Sequence, residues 1–346
     1  MKRIFTLLIA FTLLVAFANA QKNVVYCTTL RSNPAANMWP ENNDVIIQML
    51  NADPNFNVTV KVLEAGGIDP DTQSPVDLSG YDVIILHDGL GSSDEFWKPT
   101  GAAALATLPA PTLYDKIYAF QAGKAFTTSD GASTNAENVY NLTIVDGTSD
   151  LFKGIDVSSG VITAMKGGVA DDGSTGVRGL QYNTGNVVPD NTLLAYPEGA
   201  SDVAISFSDF AAGSTIDDAT LQNRVIILGY NVGVTRNTDY ADKCAMTAEG
   251  LTIWRNAIYM LAELAVPETL ADFSFLATSI EKTQIESASA YAVSGGIRVP
   301  AESNASIYSI SGKVVAKGVT SDFVECPKGI YIVEIGGTTA KVMVTK

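Results

Sequence analysis

YDVIILHDG, residues Tyr81 to Gly89, decides how the chain is read. Val83 to Leu86 form an apolar run with no alternation, closed by polar residues and a glycine. Such a run suits a strand buried on both faces of a sheet. Similar runs lie on either side. NVVYCTT (23–29) predicts a first strand, FNVTVKVLEA (56–65) a second, and RVIILGY (224–230) a late buried one. Between them DVIIQMLNAD (44–53) predicts a helix, with Asp44 placed as its cap. LYDKIYAFQAGKAFTTSDG (113–131) predicts a helix stopped by Gly123 and then a fourth strand. TAEGLTIWRNAIYMLAELA (247–265) sets Leu251, Trp254, Ile258, Leu261 and Ala265 at helical spacing. Strands alternating with helices predict an α/β domain with a mostly parallel sheet over residues 21–265.

The rhythm changes in residues 131–220, which are rich in Gly, Asp, Ser and Thr. LLAYPEGASDVAISFSD (193–209) predicts a hairpin turning at Pro197-Glu198-Gly199. Residues 266–290 begin near Pro267, are mostly polar, and read as a linker. After Tyr291 the pattern is all β, with short strands at even spacing and Gly turns between them. That predicts a small Ig-like β-sandwich over 291–346.

The chain has 346 residues, 47% hydrophobic and 17% charged, with a formal net charge of −15. That composition allows a sizeable core. The charge argues against nucleic acid or an anionic membrane surface as partner. Residues 1–20 read as a secretory signal. Lys2-Arg3 is basic, Ile4 to Phe17 is apolar, and Ala18-Asn19-Ala20 is a small-x-small cleavage site. No later stretch is long enough to span a bilayer, so the mature chain is expected to have no transmembrane helix. Cys27, Cys244 and Cys326 are too scattered for a zinc site, and Cys27 with Cys244 is the pair open to oxidation.

Two loops invite chemistry. His87 is the sole histidine and sits at the carboxyl end of its strand, where ligands bind in parallel sheets. Asp88 and Glu95 follow it. Thr127-Thr128-Ser129-Asp130-Gly131 has the outline of a nucleophile elbow. A Ser129 nucleophile with His87 as base, and Asp88 or Glu95 orienting it, would make a hydrolase. Trp39, Trp97 and Tyr230, with Glu95, could instead form a sugar-binding platform. Asp69, Asp71, Asp171 and Asp172 lie in acidic turns that could coordinate Ca²⁺, without regular ligand spacing. No metal site and no cofactor motif is identified.

The last stretch, CPKGIYIVEIGGTTAKVMVTK (326–346), carries a Pro-Lys-Gly-Ile-Tyr turn, an alternating strand, a Gly-Gly turn and a final strand. With SIYSISGKVVAKG (306–318), it resembles the C-terminal sorting domain of type IX secretion cargo of Bacteroidetes. The matching positions are Pro327, Lys328, Gly329, Ile330, Tyr331, Gly336, Gly337, Lys341 and Val342. The resemblance implies export through the Sec route to the periplasm, and recognition by outer-membrane type IX machinery. It also implies secretion or display on the outer cell surface. The body, through SGYDVIILHDG, NRVIILGYNVG and LTIWRNAIYMLAEL, resembles the class I glutamine amidotransferase-like superfamily, in its trehalose-utilisation-like branch. That resemblance implies a flavodoxin-like three-layer sandwich. The family's elbow carries a Cys where Ser129 stands here, and its His-Pro-Glu is not matched, so amidotransfer is not expected. The expected function is a secreted or surface protein whose body binds a glycan or small-molecule ligand, with the Ser129–His87 hydrolase as the alternative.

Overall fold

The computed structural model describes most of residues 21–29, 44–87, 102–121, 132–171, 175–230, 244–275 and 290–344, with 90, 124, 234 and 235. The chain divides into two compact units, Met1–Thr278 and Ser279–Lys346.

The first unit is built on a nine-stranded sheet. Its order is Phe56–Leu63, Lys22–Thr29, Val83–Leu86, Thr112–Tyr114, Val225–Ile227, Phe207–Phe210, Thr192–Pro197, Asn141–Ile144 and Val161–Thr163. The first four pairings are parallel. The last four are antiparallel. Val225–Ile227 is the junction, parallel to one neighbour and antiparallel to the other.

This overturns the expected flavodoxin-like sandwich with its mostly parallel sheet. Half of the sheet's pairings are antiparallel, and only three α-helices, Val45–Ala52, Ala102–Ala106 and Ala248–Leu261, occur among the described residues. The cause lies in the Gly-, Ser- and Thr-rich middle of the chain. An antiparallel neighbour needs only a hairpin, whereas a parallel one needs a long crossover. The hairpin expected at Pro197 is present: Thr192–Pro197 pairs with Phe207–Phe210, and the Ala200 N–H donates to Pro197 O at 3.0 Å. A smaller antiparallel sheet sets Leu180–Thr184 between Ala132–Ala136 and Val203–Ile205. It joins the large sheet where the Gln181 N–H donates to Gly229 O at 2.7 Å.

The helix expected from Leu113 onward is also corrected. Thr112–Tyr114 is a fully buried strand, followed by a single 3-10 turn at Tyr118–Phe120. Its three residues fit between the two apolar strands Val83–Leu86 and Val225–Ile227, and that pairing overrides local propensity. The strand expected after Gly123 falls outside the described residues.

Apolar residues fill both faces of the sheet. Val24, Tyr26, Ile85, Leu113, Ile226 and Leu228 pack on one face with Val45–Ala52 and Ala248–Leu261. Val25, Cys27, Ile84, Leu86, Tyr114 and Ile227 pack on the other, where Leu105 and Ala106 of the short helix join them. Trp254, with no exposed surface, stacks on Tyr230 at 6.1 Å between ring centroids. Asp44 caps the first helix, accepting from the N–H groups of Ile46 and Ile47.

Cys27 and Cys244 belong to the cores on opposite faces of the sheet, so the sheet itself keeps them apart. All three cysteines are free and buried, and the one pair open to oxidation, Cys27 with Cys244, is not joined.

The second unit holds a three-stranded antiparallel sheet (Tyr291–Val293, Gly296–Arg298, Phe323–Glu325) and a four-stranded one (Val314–Val319, Ala305–Ser309, Gly329–Ile335, Thr338–Val344). Ile297, Val299, Ile307, Cys326, Tyr331, Val333, Val342 and Val344 form its core. The longest pairing, Gly329–Ile335 with Thr338–Val344, runs over seven residues. Tyr331 is buried, and its hydroxyl donates to Pro327 O at 2.6 Å, closing the Pro-Lys-Gly turn. Pro327, Lys328 and Lys341 are exposed. Gly336 and Gly337 lie outside the described residues.

Candidate functional site

Parallel strands place their carboxyl ends side by side. Here Cys27, Leu86 and Tyr114 stand in register. The next residue of each strand is polar: Thr28, His87 and Asp115. The ladder carries on at this level, where the His87 N–H donates to Cys27 O at 2.9 Å and the Asp115 N–H meets Leu86 O at 3.5 Å. Side chains alternate along a strand. The three positions therefore share the face of Tyr26, Ile85 and Leu113. His87 and Asp115 are buried, and Thr28 is half-buried.

His87 is held at both ring nitrogens. Nδ1 lies 3.1 Å from Thr28 Oγ1 and Nε2 lies 3.1 Å from Thr235 Oγ1. The Thr235 hydroxyl donates to Asp44 Oδ2 at 2.9 Å. The Tyr26 hydroxyl donates to the same oxygen at 2.9 Å, and its ring lies 5.5 Å from the imidazole. Asp44 Oδ1 takes the Ile46 and Ile47 N–H groups at 2.9 and 3.1 Å. Thr235 also accepts the Val45 N–H on its carbonyl at 2.8 Å. One buried chain thus runs Asp44, Thr235, His87, Thr28.

The direction of this chain is fixed by its inner end. Thr235 spends its only hydroxyl proton on Asp44, so its oxygen must accept from His87 Nε2. In the neutral ring the proton is then on Nε2, and Nδ1 presents a lone pair. The Thr28 hydroxyl donates to that lone pair. The threonine is the outer end of a relay whose orientation begins at a carboxylate.

A second group of buried polar side chains lies beside Gly229. The Asn183 amide donates to Phe120 O at 2.9 Å, and the Ser206 hydroxyl donates to Gln181 O at 2.8 Å. Gly229 admits no side chain here, since an added Cβ would collide with Gln181 O and Ser206 Oγ. This group ties the small sheet to the large one.

Of the residues singled out from sequence, His87 is in this site. Tyr230 is not: it is buried against Trp254 and Phe207, and its hydroxyl donates to Gly250 O at 3.3 Å. It has no face to offer a ligand, and burial holds its phenol far above the ordinary tyrosine range. Ser129, Asp88, Glu95, Trp39 and Trp97 lie outside the described residues. Asp69, a calcium candidate, already receives Lys61 Nζ at 2.7 Å and the Asp71 N–H at 3.0 Å. Those bonds, the lysine's first, hold its carboxyl below the usual range. Asp172 and the side chain of Asp171 lie outside the described residues. Among the described residues no group of three or more His, Cys, Asp or Glu is placed to hold a metal ion. Nor is any described helix long and apolar enough to cross a membrane.

Sequence reasoning passed over Thr28, Asp115 and Thr235. Asp115 follows the strand Thr112–Tyr114 by one position, a usable signal once that strand is recognised, whereas Thr28 lies inside the strand predicted over 23–29 and nothing local sets it apart. Thr235 carried none, because its partners are 148 and 191 residues away.

Compared with known proteins, the chain matches no family model, no curated protein and no solved structure.

Proposed function

We propose that this is an exported protein, secreted or displayed on the outer cell surface, whose body binds a ligand at the carboxyl edge of its parallel strands. The observation that carries the binding reading is the row Thr28, His87 and Asp115. They set three polar positions next to one another at the carboxyl ends of parallel strands, the place where ligands bind in open α/β sheets. A net charge of −15 favours a neutral or cationic ligand, and a glycan or another small polyol fits that condition.

The export reading rests on Lys2-Arg3 with the apolar run after it, and on the second unit. That unit has its own core, separate from the body's. It presents Pro327, Lys328 and Lys341 on its surface and fixes its signature turn from within through Tyr331. A receptor in type IX export that reads a folded surface would meet these residues. The test is deletion from Tyr291 onward, with cell fractionation in a host competent for type IX secretion. Loss of the protein from medium and surface supports the reading, and unchanged delivery ends it. A glycan array with the full chain, compared with His87→Ala, tests the binding edge.

A hydrolase is the second reading. The observation in its favour is that His87 presents Nδ1 to a hydroxyl.

A further inference from the structure

We infer that Thr28 is a nucleophilic hydroxyl, activated by His87, and that the carboxyl edge hydrolyses neutral carboxylic esters through an acyl-threonine. This rests on the ligand reading of that edge and adds an activity to it.

The argument begins with the order of the relay. A hydroxyl becomes a useful nucleophile when a base within hydrogen-bond reach takes its proton during attack. Thr28 Oγ1 lies 3.1 Å from His87 Nδ1. The base needs the right tautomer and a partner for the positive charge it acquires. Both are supplied from behind. Thr235 accepts the Nε2 proton and is itself oriented by Asp44, which is held by Tyr26 and by two N–H groups of the first helix. The inner members are buried while Thr28 is half-buried, so the relay opens outward at the nucleophile. The overall negative charge disfavours anionic acyl donors, and among neutral ones an ester, with its good alkoxide leaving group, is the class proposed.

The step balances. Thr28 Oγ bonds to the ester carbonyl carbon as its proton passes to His87 Nδ1. The tetrahedral adduct collapses, the carbon–alkoxy bond breaks, and the alcohol leaves with the proton from Nδ1. Water then attacks the acyl-threonine and gives a proton to Nδ1. Collapse releases the carboxylic acid, and Thr28 regains its proton from the ring.

The test uses the purified full chain with a fluorophosphonate probe and with p-nitrophenyl acetate. The probe's P–F bond breaks as Oγ–P forms, with fluoride leaving, so the adduct is stable and can be mapped by mass spectrometry. The expected result is one adduct on Thr28 in the folded protein and none after denaturation. Turnover should fall at least about 100-fold in Thr28→Ala and in His87→Gln, and persist in Thr28→Ser. Thermal melts of each variant separate lost chemistry from lost fold. Absence of a Thr28 adduct on folded protein overturns the inference, as does full turnover in a folded Thr28→Ala. Glycan-array binding by Thr28→Ala reports on the ligand reading alone: binding without an adduct in the parent chain sinks the nucleophile and leaves the binding edge standing.

Discussion

Thr235 donates its hydroxyl proton to Asp44 at 2.9 Å across 191 residues of sequence. That bond joins the cap of the first helix to His87 and sets which ring nitrogen holds the proton. Replacing Thr235 with Val should leave the buried His87 Nε2–H without its acceptor and Asp44 without one donor. The expected cost is about 1–3 kcal/mol, read by urea denaturation, with Thr235→Ser close to the parent. Parent-like stability in Thr235→Val, with the loss appearing in Thr235→Ser instead, would show that the methyl packing matters and the hydroxyl does not.

Tyr259 donates to Asp53 at 2.6 Å and accepts from Asn55 at 2.9 Å. Burial first, and the bond to Asp53 next, push its phenol up to about 12 from 10.0. The folded state therefore holds this proton more tightly than the unfolded chain. The resulting stability is fully present below pH 10 and is lost as pH rises through about 12. Melts at pH 8, 10 and 11 should show the decline, and Tyr259→Phe should make it shallower.

The cysteines should be chemically silent in the native state. Burial pushes the Cys27 thiol up to about 12 and the Cys244 thiol up to about 11, and neither they nor Cys326 offer appreciable surface. Ellman's reagent at pH 8 should find almost no fast-reacting thiol in folded protein and all three in denaturant, without prior reduction. A missing pair in denaturant would reveal a disulfide.

Gly250 lies in the first turn of Ala248–Leu261, where a Gly-to-Ala change normally gains about 1 kcal/mol. Here an added Cβ would strike the carbonyl oxygen of Ala164, a backbone atom that cannot swing aside. The expected sign is reversed, with a loss of about 1–3 kcal/mol. A higher melting temperature for Gly250→Ala would refute this packing.

Tyr331→Phe removes one hydroxyl from the second unit and with it the clamp on Pro327. We expect about 1 kcal/mol of lost stability, and a lower yield in the medium if a receptor reads the folded turn. Unchanged delivery with an unstable turn would mean that the strands, and not the turn, are read.

What the sequence made legible were features written locally. The apolar run Val83 to Leu86 announced a buried strand, and Asp44 before Val-Ile-Ile-Gln-Met-Leu announced a capped helix. Leu251, Trp254 and Ile258 announced the closing helix. Thr112–Tyr114 was misread because Leu113, Ile117, Ala119 and Phe120 imitate helical spacing, while the pairing that makes it a strand comes from residues 84–86 and 225–227. The site was half legible. His87 stood out by being the one histidine, whereas Thr28 and Thr235 acquire meaning only when chain segments 59 and 148 residues away arrive beside the ring.

The junction strand Val225–Ile227 also governs the order in which the body can assemble. Its parallel neighbour lies more than a hundred residues earlier, while its antiparallel neighbour is the strand of this sheet that directly precedes it in sequence. Pairing with Phe207–Phe210 therefore closes a far shorter loop than pairing with Thr112–Tyr114, and costs less chain entropy. The amino-terminal strands must wait, paired among themselves, until the chain has reached residue 227. The pairing of Val225–Ile227 with Thr112–Tyr114 spans more sequence than any other in the large sheet, and a contact so distant along the chain is expected to form late.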